Sequence, residues 1–91
     1  MPSLQYLIDS MCANFTAQAL YALVLEVVAD GPRSLRDIAR KVAERDPSLD
    51  LGSARQLAEA AVEALGKKGE VRVQGGVVYG ARVRKEGVGL R

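Results

Sequence analysis

Apolar positions recur at helical spacing along the first third of the chain. Leu4, Leu7, Ile8, Met11 and Phe15 fall three and four residues apart, as do Leu20, Leu23, Val24, Val27 and Val28. Such spacing lines one face of a helix. The phase slips between Phe15 and Leu20, where Asn14 or Thr16 is placed to cap a second helix. The pattern predicts a short helix over 3–12 and a longer one over about 15–29, with a single kinked helix as the alternative. Asp30-Gly31-Pro32 is a stop signal, because Gly suits a left-handed position and Pro cannot continue a helix.

A capped helix follows. Ser34 with Asp37 three residues on is an acidic variant of the capping box. Leu35, Ile38, Ala39, Val42 and Ala43 form the apolar stripe, and Arg36, Asp37, Arg40, Lys41 and Glu44 face outward. Asp37 stands four residues before Lys41, the favourable order for an ion pair along a helix. Pro47 ends this helix, and residues 46–52 read as a turn with Leu49 and Leu51 as anchors. Asp50 or Ser53 then caps a third helix with the stripe Ala54, Leu57, Ala58, Ala61, Val62 and Leu65, closed by Gly66 or Gly69.

Alternation replaces the helical period after Gly69. Glu70 to Gln74 and Val77 to Gly80 flank Gly75-Gly76, a pair that tolerates positive φ at both positions of a tight hairpin turn. That turn pairs Gln74 with Val77, Val73 with Val78 and Arg72 with Tyr79. Val71, Val73 and Val78 are then expected to pack inward, opposite Arg72, Gln74, Val77 and Tyr79. Residues 81–91 are expected to be a partly ordered last strand passing into a basic, mobile tail, 85–91.

From Pro32 to Gly80 the chain resembles the winged helix-turn-helix superfamily. Ser34 to Val42 is similar to the first helix of the pair, Ala54 to Leu65 to the second, and Glu70 to Tyr79 to the wing. The resemblance is one of pattern and covers about half of the chain. The turn between the two helices, about seven residues, is longer than the three or four of a compact helix-turn-helix. The implied fold is a single domain, mainly α with a C-terminal β-hairpin (α+β): a helical segment over 3–29, the helix pair over 34–69 and the wing over 70–84.

The resemblance also implies double-stranded DNA as the partner. In the superfamily the second helix enters the major groove with its N-terminal residues at base edges, and the wing touches flanking phosphates. Carried onto this chain, Arg55 and Gln56 become base readers, since Arg can bond guanine and Gln adenine with two hydrogen bonds each, and Ser53 lies at the same helix start. Arg36, Arg40, Lys41, Lys67 and Lys68 become phosphate contacts, and Arg72, Gln74, Arg82 and Arg84 act from wing and tail. Against this, the outward face of the same helix carries Glu59 and Glu63, which phosphates repel. The alternative is therefore a winged helix that binds protein within a larger assembly, and the i,i+4 pairs Arg55–Glu59 and Glu63–Lys67 also fit a plain solvated face.

Composition narrows the chemistry. Ninety-one residues make one domain, with 48% apolar and 26% charged residues, as in an ordinary globular fold. There is no His, so the commonest general base and metal ligand are both missing. Cys12 is the only cysteine and is expected as a small packed hydrophobe, since no cation adjoins it to activate a thiolate. Tyr79, Asp37 and Glu44 converge with no nucleophile, so neither an enzyme nor a cofactor is expected. No targeting signal is legible, because Asp9 stands where a secretory signal needs positive charge, and Phe15 to Ala29 is too short and too polar to span a bilayer. The expected location is cytoplasmic. Nine Arg against four Lys, with a single Asn, lean toward a thermophilic source.

Charge is divided unequally. Residues 1–32 hold Asp9, Glu26 and Asp30 and no cation, giving −3; residues 33–91 hold all 13 cations against eight carboxylates, giving +5. The net +2 is small for a nucleic-acid binder, and a second copy would double the site. Twenty of the first 32 residues are apolar, more than one side of a three-helix core requires. A homodimer through Leu4, Leu7, Ile8, Met11, Phe15 and Tyr21 is therefore expected.

Overall fold

The computed structural model describes residues 3–81. The order is α1 (Leu4–Met11), α2 (Ala17–Ala29), β1 (Arg33–Ser34), α3 (Leu35–Arg45), α4 (Leu51–Lys67), β2 (Val71–Gln74) and β3 (Val77–Gly80). It is a small, mainly helical α+β fold, compatible with a winged helix. No helix among the described residues is long and apolar enough to cross a membrane.

Each helix begins on a side-chain cap. Ser3, Thr16, Ser34 and Asp50 accept the backbone N–H of Tyr6, Ala19, Asp37 and Ser53. These bonds satisfy donors that the first helical turn leaves unpaired. They also resolve the open alternatives: Thr16 caps α2, and Asp50 caps α4. Residues 3–29 form two helices rather than one, because Cys12 takes a left-handed conformation (φ 55°) and breaks the run. Cys12 is exposed there, which corrects the expectation of a packed thiol. With Asp50 as cap, Leu51 and Gly52 join α4, and the turn after α3 shortens from the expected seven residues to five, 46–50. Gly66 stays inside α4; Gly69, at φ 79°, makes the turn into β2.

The core gathers on α4, which touches α1, α2, α3 and β2. Its whole expected stripe, Ala54 to Leu65, is buried, together with Leu20, Val24, Ile38, Val42 and Val78 from its neighbours. Leu4 and Ile8 are buried in the same core, while Leu7, Met11, Phe15 and Tyr21 are partly buried against it. Leu4 and Ile8, expected at a dimer contact, are buried within their own chain, where α1 lies on α4.

The sheet has the order β1-β3-β2, all antiparallel. The hairpin register is the expected one, Gln74 with Val77, Val73 with Val78 and Arg72 with Tyr79. Gly75 and Gly76 take φ 60° and 78°, as a tight turn matched to strand twist requires. The alternation predicts an inward Val73, but Val73 is 49% exposed while Val71 is 2% exposed. Val73 faces an open groove between β2 and α4, lined also by Val62, Glu63 and Gly66, and is left uncovered there. β1 has no counterpart among the expected elements. It pairs Arg33 with Val78 and Ser34 with Val77, so Ser34 closes the sheet and caps α3 together.

One buried carboxylate ties the helical segments. Asp46 (2% exposed) accepts the backbone N–H of Asn14 at 2.9 Å and both the N–H and the hydroxyl of Ser48, at 3.2 and 2.7 Å. It therefore joins the α1–α2 loop to the α3–α4 turn. The Asn14 N–H, then the Ser48 hydroxyl, hold its carboxyl below the usual carboxylate range. Because the folded value lies below the unfolded one, the unfolded chain takes up the proton first on acidification. The contribution is complete above the ordinary carboxylate range and is lost as pH falls through that range toward the folded value. Melting temperature followed by circular dichroism is expected to hold from neutrality down to that range and then fall. Asp46→Asn is expected to melt lower at neutrality and to flatten the acid limb. An acid limb parallel to that of the wild type would show that Asp46 is not among the groups responsible.

Candidate nucleic-acid interface

The expected base readers stand at the start of α4. Arg55 and Gln56 are exposed. Ser53 is half-buried, and its N–H is committed to Asp50 Oδ1 at 2.7 Å, a bond that holds the Asp50 carboxyl below its usual range. A carboxylate therefore sits at the positive end of the helix dipole, where a base edge or phosphate would approach. Arg55 Nε donates to Glu59 Oε2 at 3.0 Å, with both side chains 51% exposed. Such a surface pair is worth at most about 0.5 kcal/mol, so the guanidinium can leave it at little cost. Glu59 and Glu63 are exposed along the middle of the same outward face. Helical geometry at about 100° per residue puts them between Arg55 on one flank and Gln56 and Lys67 on the other.

The wing is fixed to the helix pair by backbone. Leu35 N–H donates to the Gly76 carbonyl at 3.1 Å, bringing the hairpin tip to the first residue of α3. The adjoining Arg36 is exposed, as are Arg72 and Gln74 on the solvent face of β2. Across a shallow groove from Arg72 and Gln74 lies Glu63 of α4. The angle between wing and α4, where a duplex backbone would run, thus holds Arg72 and Glu63 together.

The remaining cations do not share that surface. On α3, Arg36 and Arg40 point to one flank, while Lys41 points about 100° further round into a groove beside α2. There Lys41 Nζ lies 3.8 Å from Glu44 Oε1. The expected pair between Lys41 and Asp37 is replaced by this one, and Lys41 as a phosphate contact stands apart from Arg36 and Arg40. At the far end of α4, Lys68 Nζ sits 5.1 Å from the centre of the Tyr21 ring, a cation–π contact. Lys67 lines a hollow with Ser3, Leu4 and Tyr21. Twelve residues of helix put Lys67 about 18 Å from Arg55. Arg82 and Arg84 lie outside the described residues.

The structure therefore places Arg72 and Gln74 together on β2, Arg36 on α3 next to the residue that bonds the hairpin tip, and Arg55 with Gln56 at the start of α4. It separates Lys41, Lys67 and Lys68 from them. Arg33, half-buried on β1, and the exposed Arg45 stand outside the expected set of cations, since a two-residue strand has no sequence period. No protein-family model, curated protein or solved structure matches the chain.

Proposed function

We propose that the protein is a winged-helix domain that binds duplex DNA as a homodimer, through its wing and the α3–α4 pair, as a small transcriptional regulator or chromosome-associated factor. The observation that carries this reading is the bond from Leu35 N–H to the Gly76 carbonyl. It fixes the hairpin tip to the start of α3, so that exposed Arg72 and Gln74 on the wing, Arg36 on α3, and Arg55 with Gln56 on α4 are polar groups on rigidly joined elements. Few cations share that surface, so affinity rests on a small number of phosphate contacts and falls steeply with salt.

Fluorescence anisotropy with a random-sequence duplex tests it. Binding is expected at low salt, with a dissociation constant in the roughly 10⁻⁶–10⁻⁴ M range of sequence-independent contacts. Arg72→Ala is expected to weaken it for every sequence and to reduce the log–log salt slope by about 1. Glu59→Gln with Glu63→Gln is expected to tighten it, because two carboxylates leave the surface that faces phosphate.

A second reading draws on Glu59 and Glu63 themselves. Two exposed carboxylates in the middle of the α4 face, with Arg55 turned onto one of them, suit a protein-interaction module. No binding to duplex at low salt in either the wild type or the double Gln variant would leave that reading standing and remove the first.

A further inference from the structure

We infer that the groove between α2 and α3 is a self-association surface, occupied by the same groove of a second copy across a two-fold axis. This rests on the homodimer part of the reading above and is independent of its DNA part. The groove is open, of about 490 Å³, with Leu23 and Val27 of α2 at its floor. Its two walls carry opposite charge. Glu26 and Asp30 line it from the end of α2; Arg33 and Arg45 line it from β1 and α3.

None of these four makes an ion pair within the described residues, although all share one groove; only Lys41 and Glu44, further along, are paired there. A two-fold operation sets a patch against itself, so that residue i meets j and j meets i. Applied here, the acidic wall of each copy meets the basic wall of its partner, and every pair forms twice. A duplex would be repelled by Glu26 and Asp30, and a foreign protein would have to reproduce a charge order that a second copy already possesses.

The helix that forms the acidic wall points the same way. α2 reads Ala-Gln-Ala-Leu-Tyr-Ala-Leu-Val-Leu-Glu-Val-Val-Ala, with one charge in 13 residues. Leu20, Leu23, Val24, Val27 and Val28 enter the core, yet Ala22 and Ala29 are exposed on the other side. These small side chains beside Glu26 let a second copy approach the helix closely.

Sedimentation equilibrium of the full chain at low salt, over a wide concentration range, tests the inference. The wild type is expected to pass from monomer to dimer. Glu26→Arg and Arg45→Glu are each expected to raise the dimer dissociation constant about tenfold, because each places two like-charge contacts in a symmetric interface. The two together in one chain are expected to recover most of the loss, the walls having exchanged sign. Ala22→Arg, at an exposed helical position, is expected to weaken the dimer without altering the circular dichroism spectrum. A wild type that stays monomeric throughout overturns self-association altogether. A dimer that neither Glu26→Arg nor Ala22→Arg disturbs overturns this surface and leaves a homodimer built elsewhere. A double variant no better than the single ones overturns the pairing of wall with wall.

Discussion

Leu57→Ala is expected to lower stability by about 2–5 kcal/mol, the range for removing a fully buried leucine side chain and leaving part of its cavity. Leu57 has no exposure, and α4, which carries it, is in contact with α1, α2, α3 and β2. The surrounding side chains come from several elements and cannot all move in to refill the space. At roughly 0.05–0.15 kcal/mol per residue, a chain of 91 residues holds about 5–14 kcal/mol in total. The loss is thus a large part of the whole. Urea denaturation followed by circular dichroism reads it as a lower midpoint at unchanged slope. Leu51→Ala is the control. It removes the same atoms from the same helix, but Leu51 is 55% exposed and caps no cavity, so its effect is expected to stay within about 0.5 kcal/mol. Equal losses for the two would show that burial on α4 is not what holds the fold.

Gly80→Val is expected to cost about 3 kcal/mol, at the upper end of overpacking effects. A Cβ built at Gly80 would lie 3.2 Å from Val28 Cγ2 and 3.3 Å from the Val28 carbonyl oxygen. The methyl group of Val28 can rotate away, but the carbonyl belongs to the last turn of α2 and cannot shift without moving that helix. Gly80→Ala is expected to lose less, about 1 kcal/mol net, because its unfolded state also loses some conformational freedom. Valine adds two further methyl groups to the same gap. The strand most displaced is β3, which lies between β1 and β2. On the proposed DNA-binding reading, Gly80→Val is expected to lose affinity beyond its loss of stability, since the hydrogen bond between Leu35 and Gly76 depends on β3 staying in place. An alanine variant as stable as the wild type would show that α2 yields at Val28 and that the close approach carries no energy.

The candidate site was legible in its parts and not in its arrangement. The exposed Arg55 and Gln56 on α4, and Arg72 and Gln74 on the wing, follow from period and alternation. Which cations face the same way does not, since that depends on how helices cross. Lys41 and Arg40 are neighbours in sequence, yet Lys41 turns toward α2 and Glu44. Lys68 is drawn onto the Tyr21 ring, a contact across 47 residues that no local pattern announces. Asp46 reads in sequence as an ordinary turn residue before Pro47. Its burial and its bond to Asn14 arise only when two loops far apart in the chain meet.

The sequence by itself determined where helices form, the start of α3 at Ser34, the stripe of α4 and the hairpin with its register, while leaving open whether 3–29 is one helix or two. Each of these is decided by residues within one or two turns: a cap bonds an N–H three positions on, and a glycine pair sets the only turn its flanking strands can share. Tertiary structure alone decided that Leu4 and Ile8 are buried in the core of their own chain, that Arg33 and Ser34 add a third strand, that Val73 is left facing an open groove, and that charges of opposite sign line the α2–α3 groove. Those outcomes depend on which surfaces are covered once the elements pack, and burial is a property of the assembled layers that no single segment carries.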